Sequence, residues 1–144
     1  MNARTETRLL ARAAAAARQA HAPYSGYRVG AALLASDGSV FSACNVENAS
    51  YGLTLCAERA AVAAAVAPGQ REFRAVAVVA AGSADPYPCG ACRQVLAEFC
   101  GPELLVLVAR GGRREAVRLR LGDLLPQAFA LRRGKRQGRK KSTP

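Results

Sequence analysis

The chain has 144 residues, of which 51% are hydrophobic, and its formal net charge at pH 7 is +11. This length suits one compact domain with its own core, and two domains of ordinary size would not fit. Charges or turns interrupt each alanine-rich segment well before the ~20 apolar residues that a membrane span requires, so a membrane protein is excluded.

The first half of the chain predicts one helix and a β-hairpin. Good helix formers with apolar residues at helical spacing predict a helix over about 5–20. An apolar run over 28–36 reads as a strand, and the Asp37-Gly38 turn returns the chain into a second strand over 40–47.

The second half alternates helices with strands. We predict helices over about 56–67 and 92–100, and between them a strand over 74–81 whose nearly continuous apolar run is typical of a central strand covered on both faces. Two further strands follow at 104–109 and 115–119. This order predicts an α/β fold, a three-layer sandwich in which helices cover a mixed five-stranded sheet.

The positive charge is concentrated at the C-terminal end. Seven of the 21 basic residues lie between 132 and 141, where there is no acidic residue. We interpret 132–144 as a disordered basic tail and 1–131 as the folded domain. The tail would attract anions weakly and in a salt-dependent way, which does not by itself indicate a nucleic-acid-binding protein.

Cysteine usage bears on the cellular compartment. The chain has five cysteines, an odd number, and the N-terminal segment carries charged residues where a secretory signal needs an apolar run. Thiols remain reduced in the cytoplasm. We therefore expect a cytoplasmic protein whose cysteines are free to bind a metal.

Three of these cysteines form a zinc-binding pattern. Cys89 and Cys92 have the C-x-x-C spacing that lets two thiolates hold one ion, and Cys56 can supply a third ligand. Because zinc takes four ligands, three cysteines leave one position for water, as in catalytic sites. Glu58, two residues after Cys56, would then be available to move protons.

The C-x-x-C spacing by itself permits other interpretations of these cysteines. C-x-x-C alone is equally typical of a redox dithiol or of half a structural zinc site. Cys44 or Cys100 could also complete a closed site. However, Cys-x-Glu followed by Pro-Cys-x-x-Cys matches the signature of zinc deaminases, which favours the catalytic interpretation.

The charge of such a site needs compensation. Three thiolates and Zn²⁺ sum to a net charge of −1, which opposes formation of hydroxide. Both half-sites lie where a helix is predicted to begin, and a helix N-terminus favours anions. Arg59 is predicted to supply further positive charge, and Arg93 is a second candidate, although a surface ion pair would explain either arginine without any functional role.

Over about residues 20–130 the sequence resembles the small cytidine deaminases that act on free nucleosides. The resemblance extends well beyond the zinc motif. The matching stretches are Pro23-Tyr24-Ser25, Val29-Gly30-Ala31-Ala32-Leu33, Asn45-Val46-Glu47-Asn48-Ala49, Cys56-Ala57-Glu58-Arg59 and Pro88-Cys89-Gly90-Ala91-Cys92-Arg93-Gln94.

The resemblance implies a substrate site around the metal. It assigns Asn45 and Glu47 to the ribose 3′-hydroxyl, and two residues separated by one on a strand do face the same way. It also places Ala57 and Pro88 among the substrate-binding residues. Glu58 becomes the catalytic proton carrier.

Two further expectations come from the resemblance alone. Family members usually have Phe-Pro where this chain has Tyr27-Arg28, so Tyr27 would supply the ring that packs on the base, and Arg28 is a departure. The family's homotetramer places a Phe of the Leu-Leu-Pro-x-x-Phe segment into a neighbour's site. Here that residue is Phe129, which would otherwise read as an ordinary packing aromatic.

These observations predict a zinc-dependent hydrolase with one Zn²⁺ per subunit. It would convert cytidine and 2′-deoxycytidine to the corresponding uridines plus ammonia, as in pyrimidine salvage. A blasticidin-type antibiotic nucleoside deaminase, a nucleic-acid cytosine deaminase and a non-enzymatic zinc-binding module remain as alternatives. Glu58 argues against the module, and the Asn45–Glu47 pair favours a nucleoside over a nucleic-acid strand.

Overall fold

The structure is a computed structural model that describes residues 1–82, 84–111 and 115–131. The predicted basic tail, 132–144, lies outside the described residues, so its disorder stays a prediction. None of the described helices has the length and apolar character needed to cross a bilayer.

The described elements follow the predicted order closely. The helices are α1 (Ala3–Ala17), α2 (Ala57–Val66), α3 (Gly90–Phe99) and the single turn α4 (Leu121–Leu124). The strands are β1 (Val29–Ala35), β2 (Val40–Cys44), β3 (Phe73–Ala80), β4 (Leu105–Arg110) and β5 (Val117–Arg120). A short 3-10 helix, Tyr51–Leu53, precedes α2. The sequence predicted neither this turn nor α4.

All five strands form one sheet in the order β2-β1-β3-β4-β5. β1 is antiparallel to both of its neighbours, β3 and β4 are parallel, and β5 is antiparallel to β4. The parallel pair is joined through α3, as parallel neighbours require a crossover connection. The predicted mixed five-stranded sheet is therefore confirmed.

Helices cover the two faces of this sheet. On one face Leu9 and Ala13 of α1 pack against side chains such as Ala32 of β1 and Ala77 of β3. On the opposite face α2 and α3 share a core with the alternate residues of the same strands. The alternation of side chains along a strand places these neighbours on opposite faces, which gives the predicted three layers.

The contact between α1 and β1 depends on Gly30. A Cβ atom at this position would lie 2.0 Å from the carbonyl oxygen of Ala13 and 2.4 Å from the nitrogen of Ala17. Backbone atoms cannot move aside as the end of a side chain can. Glycine is therefore required for the helix to pack this close to the strand.

The second strand is shorter than predicted. β2 ends at Cys44, and beyond it Val46 makes only isolated bridges to His21 and Leu55. Asn45 and Glu47 consequently lie just past the strand. This placement leaves their side chains at the edge of the sheet where the helices α2 and α3 begin.

Candidate active site and metal centre

Two helix N-termini position the predicted zinc ligands. Cys56 is the N-cap of α2 and Cys89 the N-cap of α3, while Cys92 lies in the first turn of α3. The unpaired N–H groups and partial positive charge of a helix start favour thiolate over thiol. α2 and α3 lie on the same face of the sheet, so the two half-sites can meet.

The structure brings the three thiols together. The Sγ atoms of Cys56, Cys89 and Cys92 all lie within 4.8 Å of one another, and those of Cys56 and Cys89 are 4.0 Å apart. Within the described ranges, this group is the cluster that could hold a metal ion. Cys44 and Cys100, the alternative fourth ligands, are not part of it.

The cluster favours negative charge on the sulfur of Cys56, whereas the hydrogen bond with Cys56 and burial raise the pKa of Cys92. The pKa of Cys56 is lowered to about 5, chiefly because Cys92 hydrogen-bonds to its sulfur and then because Arg59 lies beside it. Nη2 of Arg59 is 3.9 Å from that sulfur and donates a 2.8 Å hydrogen bond to the carbonyl of Thr54. The guanidinium is thereby held next to the thiols.

The donor set fits zinc. Three sulfur donors on one side of a site are the soft ligands that zinc accepts, and a fourth tetrahedral position is left for water. The Nε of Arg59 is buried without a hydrogen-bond partner within the part of the chain described. An unpartnered cationic donor beside the thiols suits a centre that carries net negative charge.

Cys56 and Cys89 line a pocket of about 600 Å³, whereas Cys92 is fully buried. Glu58 lines the pocket and is only 5% exposed. Burial raises the pKa of the Glu58 carboxyl, which makes a proton easier to hold there than on an exposed carboxylate. The residues lining the pocket are Ser25, Tyr27, Val29, Asn45, Glu47, Thr54, Cys56, Ala57, Glu58, Ala84, Asp85, Pro86, Tyr87 and Cys89.

Asn45 is buried and its amide is fixed by the backbone of the strand beside it. Its Oδ1 accepts a hydrogen bond from the Val29 N–H, and its Nδ2 donates to the Tyr27 carbonyl, both at 2.9 Å. A side-chain amide has two N–H donors, and Tyr27 takes one of them. The amide is thus held rigidly at the pocket wall with donor capacity remaining.

Glu47 is held as a carboxylate by the loop that precedes β1. The hydroxyl of Ser25 donates to Oε1, and the N–H of Tyr24 donates to Oε2 at 2.9 Å. The hydrogen bond from the Ser25 side chain is the largest cause of a lowered Glu47 pKa. Glu47 and Asn45 both line the pocket.

The departure at Tyr27-Arg28 leaves the pocket intact. The Tyr27 ring lines the pocket, and its hydroxyl lies 3.4 Å from the carbonyl of Ala84. Arg28 points elsewhere, since its Nη1 donates to the carbonyl of Arg18 at the end of α1. A cation at a helix C-terminus is stabilising, so Arg28 has a structural partner away from the pocket.

Three predicted site residues occupy different environments. Ala57, the first residue of α2, lines the pocket. Pro88 is fully buried and is not among the described residues that line the pocket. Phe129 is 70% exposed and lies outside the pocket of its own chain.

The structure adds residues that sequence reasoning did not assign to the site. Ser25 orients Glu47, while Asp85 and Tyr87 line the pocket. Asp85 forms an ion pair with Arg110 at 3.5 Å. The only sequence signal was position: Asp85 and Tyr87 fall in the short loop that leads from β3 to the C-x-x-C motif.

Comparison with known proteins agrees with this geometry. The family described as the cytidine and deoxycytidylate deaminase zinc-binding region matches residues 3–108. The protein belongs to this family. A cytidine deaminase from Sporosarcina psychrophila is 46% identical over 125 residues, which cover 85% of this chain and 90% of that one.

Structural similarity to this deaminase family extends over nearly the whole chain. The crystal structure of a cytidine deaminase from Burkholderia pseudomallei matches with a TM-score of 0.81 and 47% identity, covering 90% of this chain and 100% of that one. A blasticidin-S deaminase from Bacillus cereus is 30% identical over 111 residues, 72% of this chain and 77% of that one. The protein is therefore a zinc-dependent hydrolytic deaminase, and both the predicted fold and the stated resemblance are confirmed.

Proposed function

We propose that the protein hydrolyses cytidine and 2′-deoxycytidine to uridine and 2′-deoxyuridine with release of ammonia. The observation that carries this proposal is the three-thiol cluster beside buried Glu58, at the end of a pocket that also presents Asn45 and Glu47. The similarity to proteins named cytidine deaminases supports it.

Cys56, Cys89 and Cys92 would hold the zinc ion. When bound, zinc lowers the pKa of its water toward ~7 and supplies a nucleophile at neutral pH. Three thiolates leave this centre with a net negative charge. Arg59, 3.9 Å from the Cys56 sulfur, and the two helix N-termini offset it.

Glu58 is the proton carrier in this proposal. Its carboxyl takes the proton released when the nucleophile forms and delivers it to N3 of the cytosine ring. The oxygen of the nucleophile bonds to C4. Glu58 then takes the proton of this new hydroxyl group and delivers it to the exocyclic nitrogen, so that the C4–N bond breaks and ammonia leaves. Burial, which raises the pKa of Glu58, brings the carboxyl closer to the range in which acid and base forms are both accessible.

The charges in the pocket favour a nucleoside over a nucleotide. The described residues that line it include the carboxylates Glu47, Glu58 and Asp85 and no basic side chain. A phosphate would meet Glu47 and Glu58 with no basic side chain among the described lining residues, and like charges in a partly desolvated site repel strongly. The pocket charge therefore favours a nucleoside over deoxycytidylate, which the description of the family also names.

Sugar and base would occupy opposite parts of the pocket. Asn45 and Glu47, a donor and an acceptor held in place by backbone contacts, suit one hydroxyl of the ribose. The Tyr27 ring suits the face of the base. Ala57 and the peptide that follows Pro88 flank the reacting end.

The active protein would be a homotetramer that acts in the cytoplasm in pyrimidine salvage. Tyr87, which lines the pocket, is 47% exposed, so solvent reaches the pocket, and excluding water would strengthen the electrostatics of catalysis. Phe129, largely exposed on its own chain, would cover the base in a neighbouring subunit. Closed symmetry is the usual form of such self-association.

Ammonia release from a panel of substrates tests the proposal. Zinc-loaded protein should act on cytidine and 2′-deoxycytidine much faster than on deoxycytidylate, a cytosine-containing oligonucleotide or blasticidin S. Faster turnover of blasticidin S or of the oligonucleotide would replace the proposal with the corresponding alternative. No turnover of any substrate would leave a zinc-binding module.

A further inference from the structure

The side chain of Arg93 joins two parts of the chain that are distant in sequence. Arg93 follows Cys92 in α3 and is half-buried. Its Nε donates to the carbonyl of Pro88 at 2.7 Å, and its Nη1 donates to the carbonyl of Leu124 at 2.8 Å. The planar guanidinium is suited to holding two acceptors in fixed relative positions.

Each of these carbonyls belongs to a part of the proposed site. The Pro88 carbonyl shares a rigid peptide plane with the nitrogen of Cys89, so the first hydrogen bond fixes the backbone of a proposed zinc ligand. Leu124 is the last residue of α4. The second hydrogen bond therefore holds the start of the segment 124–129 against α3.

The next residue of α3 holds the other end of the same segment. Nε2 of Gln94 donates to the carbonyl of Phe129 at 2.8 Å. Between the two attachment points Gln127 has φ = 56°, a left-handed conformation that is costly for a residue with a side chain. Such a conformation persists where the surroundings fix the chain, as Arg93 and Gln94 do here.

We propose that Arg93 and Gln94 are positioning residues that fix the exposed Phe129 ring relative to the C-x-x-C half-site. The helix that carries two zinc ligands would thus also set where one copy presents its aromatic ring to the pocket of a second copy. This inference rests on the proposed assembly in which Phe129 covers a neighbour's pocket.

Gln94→Ala tests the attachment of Phe129 alone, because the Gln94 side chain donates to the Phe129 carbonyl and forms no hydrogen bond with the three thiols of the described chain. Loss of one neutral hydrogen bond should raise KM for cytidine by about twofold to tenfold, with kcat and zinc content unchanged. The subunit dissociation constant from analytical ultracentrifugation should rise as well. Gln70→Ala is the matched control, since the Gln70 amide donates to Asp37 far from the pocket.

Arg93→Lys tests the two hydrogen bonds of Arg93, to the carbonyls of Pro88 and Leu124, together. A lysine ammonium cannot reproduce the fork of the guanidinium, and loss of a charge-assisted hydrogen bond should reduce kcat/KM by about tenfold to a hundredfold, through kcat as well as KM. The matched control is Arg71→Lys, because Nη1 of Arg71 also donates to two backbone carbonyls, at 2.7 and 2.8 Å, away from the site.

A double-mutant cycle with Phe129→Ala separates positioning from general stability. If Gln94 acts through Phe129, Gln94→Ala should raise KM no further in the Phe129→Ala background. Equal effects in both backgrounds, effects no larger than those of the controls, or a fully active wild-type monomer would each overturn the inference. Wild-type protein that releases no ammonia from cytidine would instead overturn the proposed function.

Discussion

Glu58→Gln is the sharpest test of the proposed chemistry. Glutamine has nearly the same shape as glutamate, so the buried site should keep its packing and the thiols their arrangement. The amide cannot accept and return protons. We therefore expect a folded protein that still binds zinc and has lost its activity.

The size of the loss follows from the surroundings of Glu58. Positioned general acid–base catalysis contributes ~10²–10⁴-fold. The other two carboxylates of the pocket are occupied, Glu47 by donors from Tyr24 and Ser25 and Asp85 by Arg110. Because neither can substitute and the carboxyl serves more than one step, we expect a loss of about 10⁴ in kcat, or about 5 kcal/mol.

Single-turnover and steady-state ammonia release from cytidine measure this loss, and metal analysis reports the zinc content of each sample. Glu103→Gln is the matched control, since this exposed glutamate pairs with Arg120 on the surface. A Glu58→Gln variant that binds zinc and keeps most of its turnover would show that Glu58 is not the proton carrier.

Three further outcomes are expected. Cys92→Ala should lose zinc and activity whereas Cys44→Ala keeps both, and metal analysis that showed a need for Cys44 would indicate a closed structural site. Deleting 132–144 should leave kcat/KM for cytidine nearly unchanged; a large loss would assign the tail a part in the site. Gly30→Ala should lower the free energy of unfolding by about 3 kcal/mol through overpacking. This corresponds to an unfolding midpoint lower by about 6–12 °C. Gly52→Ala, where a Cβ meets open space, is its control in calorimetry.

Local patterns predicted the elements because they depend on short stretches of chain. Apolar spacing predicted that α1 is a helix, and a continuous apolar run predicted that β3 is a strand. The predicted ends of both elements lie within a few residues of the observed ends. The ends of elements and the shortest elements were predicted less well, because tertiary contacts determine them. β2 stops at Cys44 because the next residues pair across the sheet edge with His21 and Leu55, and α4 is too short to have a recognisable period.

The zinc motif could be read from the sequence because its ligands lie at helix starts, where spacing and capping are local. Tertiary structure alone decided that the Sγ atoms of Cys56 and Cys89 lie 4.0 Å apart, since that distance depends on how α2 and α3 pack on one sheet. It also decided that Arg28 faces α1 and that Arg93 joins the C-x-x-C motif to Leu124. Contacts between residues distant in sequence arise from sheet order and helix packing, which no short pattern encodes.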